Sequence, residues 1–333
     1  MRLKYNILWF DDDKDWIESV IEEIESFLQE KGFILNYDNY QNATQFDEII
    51  ISLKANTKDV DIILMDYKLM NQDKGDVLIK KIREKEVLTE ILFYSQDAHV
   101  RDKFKEECIE GIYFSNRSDF LDRFFQIIPH TIKKVLDLTN MRGLVMAETS
   151  SMDFSLNSII LKMINLLDKH KICKRQEIID KIFHKRLTLA HQIKEIKEHE
   201  IIKINGKDKL IFNIESLTRN EYMLNIENLL DKIESSDKYQ TINKLFNELK
   251  LKVKLEESYF NLFKKYDEEI IKIRNVLAHV HEETIDGKTT LKSKIKGYDE
   301  FIFSHDEFEK IRKSLILHLQ NIENIDKEIC KHS

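Results

Sequence analysis

Proline occurs once in this sequence, at Pro129, and glycine at only seven positions among 333 residues. That scarcity disfavours a turn-rich β-sandwich, a collagen-like chain and a proline-rich linker protein. Cysteine is equally sparse: Cys108, Cys173 and Cys330 are far apart, odd in number and without paired-ligand spacing. Neither a disulfide framework nor a zinc site is suggested, and the three are expected to be reduced. No apolar run reaches 18 residues, and the opening MRLKYNILWFDDD meets acid too soon for a secretory core segment, so a cytoplasmic protein without membrane contact is expected. An excess of positive charge is also missing; the formal net charge of −7 gives no global footprint for nucleic acid, although local basic patches remain compatible with it.

What the chain does have is 42% hydrophobic and 34% charged residues, a balance that supports folded, mainly helical structure. Its length suits two cores. In the first third, short apolar runs alternate with amphipathic stretches. Strands are expected at 5–10, 33–37, 61–65, 91–94 and 111–114, and helices at 14–31, 43–54, 76–85, 100–108 and 119–135. Five strands and five helices in about 130 residues imply an α/β, flavodoxin-like, doubly wound parallel sheet, which places ligands at the carboxyl ends of its strands.

Beyond Pro129 the pattern becomes helical. A linker helix is expected over 131–153, then helices near 154–169, 177–200, 220–233, 240–250, 255–280 and 306–329, with a loop around Asp286-Gly287. One β excursion stands out, because IIKINGKDKLIFNI carries Asn205-Gly206 between alternating apolar residues, a strong hairpin signal. The domains expected are therefore 1–130, the linker 131–153, and a mainly α-helical domain with a small β-hairpin over 154–333.

Asp11, Asp12 and Asp13 follow the first expected strand, and Asp66 ends the third. Parallel strands bring such ends to one edge. Clustered carboxylates oppose their own ionisation unless a cation compensates them, and hard oxygen ligands suit Mg²⁺. Taken singly, each of these acids also reads as a loop residue or helix cap, Asp13 in particular. Together, ILWFDDD, IILMDYKL, ILFYS and GIYF resemble, in order and spacing, the receiver domains of two-component response regulators. That resemblance implies Asp66 as the phosphate acceptor, Asp11, Asp12 and Asp66 as Mg²⁺ ligands with the backbone of Lys68, and Ser95 as the switch hydroxyl. It also implies a histidine kinase or a small phosphodonor as partner. The family's lysine at the end of the fifth strand falls here on Ser115; Arg117, two residues on, either reaches back to replace it or is a surface residue at a helix start.

In the second domain, KKYDEEIIKIRNVLAHVHEE has helical periodicity and carries Arg274, Asn275, His279 and His281. Residues five apart on a helix point about 140° from each other, so Arg274 and His279 would flank a surface, and two such helices crossing in a homodimer would converge both sets on one cleft. Cationic phosphate binders beside a titratable imidazole suit metal-independent RNA cleavage through the ribose 2′-hydroxyl. RNVLAH resembles the R-x4-H motif of the HEPN (higher eukaryotes and prokaryotes nucleotide-binding) superfamily, many of whose helical, often dimeric members are RNases in stress and phage defence. The resemblance implies Arg274 and His279 as catalytic and Asn275 as supportive, RNA as substrate and no cofactor for that reaction. Glu148 and Asp153 read as inward polar groups or, better, Asp153, Ser150 and Ser151 as helix caps.

A competing output lies at 169–214. Residues 169–209 hold 12 Lys or Arg against 6 Asp or Glu, with helices before the hairpin as in a winged helix-turn-helix that binds DNA; Glu195, Glu198 and Glu200 argue against it. A non-catalytic helical scaffold is the third alternative.

Overall fold

A computed structural model describes residues 2–55, 59–72, 74–96, 111–133, 137–171, 199–204, 207–212, 218–279, 282–285, 288–292, 300–302 and 304–333. The chain divides into two compact units: Met1–Leu144 with Phe303–Lys313, and Val145–Ile302 with Ser314–Ser333.

The first unit is built on strands β1 (Lys4–Phe10), β2 (Ile34–Tyr40), β3 (Ile62–Asp66), β4 (Ile91–Ser95) and β5 (Ile112–Asn116). They form one sheet in the order β2-β1-β3-β4-β5 with every pair parallel, the flavodoxin-like doubly wound order expected from the sequence. All five residues of β3 and of β4 are buried, which is why those strands read as continuous apolar runs: a parallel sheet is covered on both faces. Helices α1 (Lys14–Glu30), α2 (Phe46–Lys54), α3 (Gly75–Glu84) and α4 (Phe120–Lys133) belong to this unit. Helix α1 buries Ile17, Val20, Ile24 and Leu28, one stripe at helical spacing. The helix expected at 100–108 lies outside the described residues. Pro129 sits inside α4, within the helix expected at 119–135; losing one N–H does not stop a helix whose Phe124, Ile127, Ile128 and Ile132 are all buried.

Part of this unit comes from the far end of the sequence. Arg312 is fully buried, donating from Nε to the Gly32 carbonyl at 2.8 Å and from Nη2 to the Arg2 carbonyl at 2.9 Å. Its guanidinium lies 3.7 Å from the centre of the Phe33 ring, and Lys31 pairs with Glu309 at 3.1 Å. Gly32 has φ of +72°, and a Cβ there would come within 2.7 Å of the Arg312 Cβ, so both conformation and space demand glycine.

The second unit is mainly helical. One uninterrupted helix, α5, spans Leu138–Lys169, so the helix boundary expected near 153 is corrected. Ser150, Ser151 and Asp153 are interior helix residues and cap nothing; Ser150 Oγ turns back on the Met146 carbonyl at 2.8 Å, a common use of a mid-helix hydroxyl. Then come α6 (Arg219–Leu230), α7 (Ser235–Leu249), α8 (Glu257–Phe263), a π-helical turn at Asp267–Ile271, α9 (Lys272–His279) and α10 (His305–Cys330). The single helix expected over 255–280 is thus broken, the π turn adding a residue that lets Tyr266, Ile270, Ile271, Val276 and Leu277 all stay buried. Strands β6 (His199–Ile204) and β7 (Lys207–Phe212) form the antiparallel hairpin that the sequence announces; its Asn205-Gly206 turn lies outside the described residues, as does nearly all of the helix expected at 177–200, whose last two residues, His199 and Glu200, begin β6 instead. The Asp286-Gly287 pair of the expected loop lies outside the described residues; on either side of it the chain forms strands of an antiparallel sheet, β8 (Glu282–Ile285), β9 (Lys288–Lys292) and β10 (Glu300–Ile302), ordered β10-β9-β8. Among the described residues no helix is long and apolar enough to cross a membrane.

Candidate phosphoacceptor and metal site

Sheet register assembles the site. Asp66 ends β3 opposite Tyr94 of β4, and Tyr94 stands opposite Ser115 of β5; Asp11 follows β1 directly. The carboxylates of Asp11, Asp12 and Asp66 offer oxygens all within 4.8 Å of one another. Asp11 is fully buried and Asp66 nearly so.

Packing behind Asp66 is tight. A Cβ on Gly75 would lie 2.1 Å from the Asp66 carbonyl oxygen and 2.9 Å from Met65 Cγ, and the Gly75 N–H donates to the Tyr67 carbonyl at 2.9 Å. Only a residue without a side chain lets α3 begin this close to the strand end.

Each oxygen of the Asp11 carboxylate accepts a hydrogen bond from the fold around it. The Tyr94 hydroxyl donates to its Oδ2 at 2.6 Å while accepting from Trp9 Nε1 at 2.7 Å, and the Asp13 N–H donates to its Oδ1 at 2.8 Å. Neither Tyr94 nor Trp9 was singled out from the sequence. The only available signal was chemical: two polar-tipped aromatics lie on β1 and β4, buried strands on either side of β3, each needing a partner for its polar atom.

Arg117 reaches back into the site. Its Nη2 lies 3.1 Å from Asp11 Oδ1 and 3.2 Å from Asp66 Oδ2, and its Nη1 lies 2.8 Å from Asp13 Oδ2. The guanidinium also covers the Trp16 ring at 4.6 Å. Of the two roles open to Arg117 in the sequence, the surface one is therefore excluded. Ser115, at the lysine position, turns its hydroxyl to the Asn116 carbonyl at 2.8 Å. Asp13 is indeed the α1 cap, its Oδ1 accepting from the Trp16 N–H at 3.0 Å.

Electrostatics follow from this crowding. Burial pushes the Asp66 carboxyl up to about 7; the neighbouring Asp11 charge adds to this, and Arg117 works against both. Burial raises Asp11 as well, against the Tyr94 hydrogen bond. Asp13 is held below the ordinary carboxylate range by the Trp16 N–H and then by Arg117. One guanidinium does not neutralise the buried carboxylates, so the donor set fits a hard dication, all of its side-chain ligands being oxygen. Ser95 is buried at the end of β4, opposite Asn116. Lys68 is exposed, and its backbone bridges to Lys74 in the loop after β3.

In the second unit, Arg274 and Asn275 are half-buried on α9, and His279 is its last residue; the His279 side chain and His281 lie outside the described residues. Arg274 Nη1 donates to Ser235 Oγ at 3.3 Å, and Ser235 Oγ donates to Asp153 Oδ2 at 2.5 Å. Asp153 is thus an inward polar group of the helical unit. Arg274 Nε and Asp153 Oδ1 are both buried without a partner among the described residues. Burial lowers the Lys238 ammonium below its ordinary range against the attraction of Asp153 and Asp231, with the Arg274 charge adding to the lowering.

The chain matches no protein-family model and no curated protein sequence. Among solved structures, its N-terminal part is similar to the receiver domain of a Francisella response regulator, at 16% identity and TM-score 0.30 over 39% of this chain and 98% of that one. It is also similar to a response regulator receiver protein from Sinorhizobium medicae, at 16% identity and TM-score 0.28 over 38% and 97%. A third is the signal receiver domain of an HD domain-containing protein from Pseudomonas fluorescens, at 18% identity and TM-score 0.29 over 39% and 98%.

Proposed function

We propose that the first unit is the receiver domain of a cytoplasmic response-regulator-like protein, with Asp66 the residue that accepts phosphate. The observation that carries this reading is the convergence of Asp11, Asp12 and Asp66 with Arg117 at the carboxyl edge of the sheet. A carboxylate oxygen of Asp66 attacks phosphorus in line; a new O–P bond forms as the donor's P–O or P–N bond breaks, and the bonding electron pair leaves with acetate from acetyl phosphate or with the imidazole of a histidine kinase. Mg²⁺ held by Asp11, Asp12, Asp66 and the Lys68 carbonyl would neutralise charge on the transferred phosphoryl group. Ser95 is the hydroxyl that would respond to it. Intact-mass measurement after incubation with acetyl phosphate and Mg²⁺ tests the reading: a single phosphoryl adduct is expected, lost with chelator.

For the second unit the reading is a HEPN-like output, a metal-independent RNase with Arg274 as phosphate binder, His279 as proton carrier and Asn275 in support, acting as a homodimer. Arg274 Nε, a donor without a partner among the described residues, supports a phosphate contact. A chelator-insensitive cleavage of RNA lost in His279→Ala tests it. The engagement of Arg274 with Ser235 and Asp153 favours a second reading, in which the helical unit is a scaffold for a partner and cuts nothing.

A further inference from the structure

The guanidinium of Arg117 makes two kinds of contact. Its Nη2 is shared between Asp11 and Asp66, the carboxylates assigned to metal and phosphate. Its Nη1 and its face are taken by Asp13 at 2.8 Å and Trp16 at 4.6 Å, neither of which is assigned to metal or phosphate. We propose that Asp13 and Trp16 are positioning residues: together they form a berth on the first turn of α1 that holds Arg117 over Asp66 as the cation of this site, in place of the lysine missing at Ser115. The proposal rests on the reading of Asp66 as phosphate acceptor.

The berth is rigid for local reasons. Asp13 divides its oxygens, Oδ1 accepting from the Trp16 N–H and Oδ2 from Arg117, so the carboxylate that caps the helix also fixes the guanidinium. Trp16 is itself wedged among aromatics, its ring 5.0 Å from Phe120, 5.1 Å from Tyr94 and 6.1 Å from Trp9. Phe120 follows directly on the turn Arg117–Asp119, so the same ring packs against the berth and anchors the segment that carries the arginine. An arginine two residues past the strand needs such support, because a long side chain held in one geometry loses rotamer freedom; a planar guanidinium against an indole face with a carboxylate at one edge is a favourable way to supply it. With the charge of Asp11 and Asp66 compensated by a bound dication, the hold of those carboxylates on Nη2 would weaken. The hold of Asp13 and Trp16 would not, and Arg117 would stay at the rim of the site to meet the incoming phosphoryl oxygens.

Asp13→Asn is the informative variant, since asparagine still caps α1 but no longer offers a carboxylate to Arg117. In the full chain, Asp13→Asn and Arg117→Ala should each slow adduct formation on Asp66 by about tenfold, and the double variant should be no slower than Arg117→Ala alone. MgCl₂ titration should change Trp16 emission, taken as the difference between wild type and Trp16→Phe, and that change should vanish in Arg117→Ala. Far-UV circular dichroism and thermal midpoint report that each variant is folded. A wild-type rate in Asp13→Asn, or two rate losses that multiply, overturns the berth. If wild type forms no adduct at all, the phosphate-acceptor reading fails separately. The berth then stands only if Asp13→Asn reproduces the metal-free Trp16 emission of Arg117→Ala, and falls if its emission stays that of wild type.

Discussion

Nη2 of Arg117 lies 3.2 Å from Oδ2 of Asp66, although the two residues are 51 positions apart; Asp66 ends β3, and Arg117 follows β5, a strand that is not a neighbour of β3 in the sheet. The pair matters because the carboxylate it serves is buried beside another, and a single monovalent cation leaves negative charge uncompensated.

That imbalance gives Asp66→Asn a pH signature. The folded-state pKa of Asp66 is raised from the ordinary carboxylate value to about 7, so the proton is bound more tightly folded than unfolded. The stability attached to that proton is present in full below about pH 4 and is lost as pH rises through 7. In metal-free protein the thermal midpoint of Asp66→Asn should therefore exceed that of wild type at pH 8, by several degrees, with the gap closing at pH 4. Mg²⁺ should narrow the gap at pH 8 by stabilising only wild type. A gap independent of pH contradicts the charge account.

Gly75→Ala tests the packing behind the acceptor. The added Cβ would meet the Asp66 carbonyl oxygen at 2.1 Å, so either α3 or the end of β3 must move. A loss of about 1–3 kcal/mol is expected from overpacking, read by chemical denaturation, together with slower phosphorylation than Asp12→Ala-type loss of a ligand alone explains at saturating Mg²⁺. A neutral substitution would mean that the approach of α3 to β3 is looser than described.

Arg312→Ala addresses the C-terminal contribution to the first unit. It removes two hydrogen bonds to the Gly32 and Arg2 carbonyls and the stacking on Phe33, at a cost of about 2–4 kcal/mol. Arg312→Lys should not restore it, because an ammonium cannot reach both carbonyls in one plane. Faster hydrogen exchange at Gly32 and Phe33 in the variant would locate the effect; unchanged exchange there would contradict it.

For the output, Arg274→Ala and His279→Ala should each abolish any RNA cleavage, but they should differ in stability. Arg274 is half-buried and tied to Ser235 and through it to Asp153, so its truncation should cost about 1–2 kcal/mol. Asp153→Asn separates the two readings of this unit: the variant should cleave RNA more slowly than wild type if the Asp153–Ser235–Arg274 chain positions the arginine, and a non-catalytic scaffold has nothing to lose but stability.

Strands β1, β3 and β4 were legible because strands buried on both faces of a parallel sheet write themselves as apolar runs, whereas β2 and β5, partly exposed, were legible from their alternation with helical stretches; Asp11 and Asp66 were legible because they stand at the ends of two of the apolar runs. For Arg117 both directions stayed open, since its partner Asp13 is 104 residues away and nothing local distinguishes a guanidinium that turns inward from one that turns out. The continuity of α5 was hidden by Ser150, Ser151 and Asp153, residues that favour caps yet serve mid-helix when their oxygens find Met146 or Ser235. Strands β8, β9 and β10, reading EETI, KTTLK and EFI, are too short and too polar to announce a sheet without their pairing partners.

The central claim is that Asp66 forms an acyl phosphate. Borohydride reduces an acyl phosphate to an alcohol, so protein treated with acetyl phosphate and Mg²⁺, then with borohydride, should yield a peptide in which position 66 is homoserine, with Asp11, Asp12 and Asp13 unchanged. Conversion at one of those three instead, or none at position 66 while the protein is folded and Mg²⁺ is bound, would contradict the account.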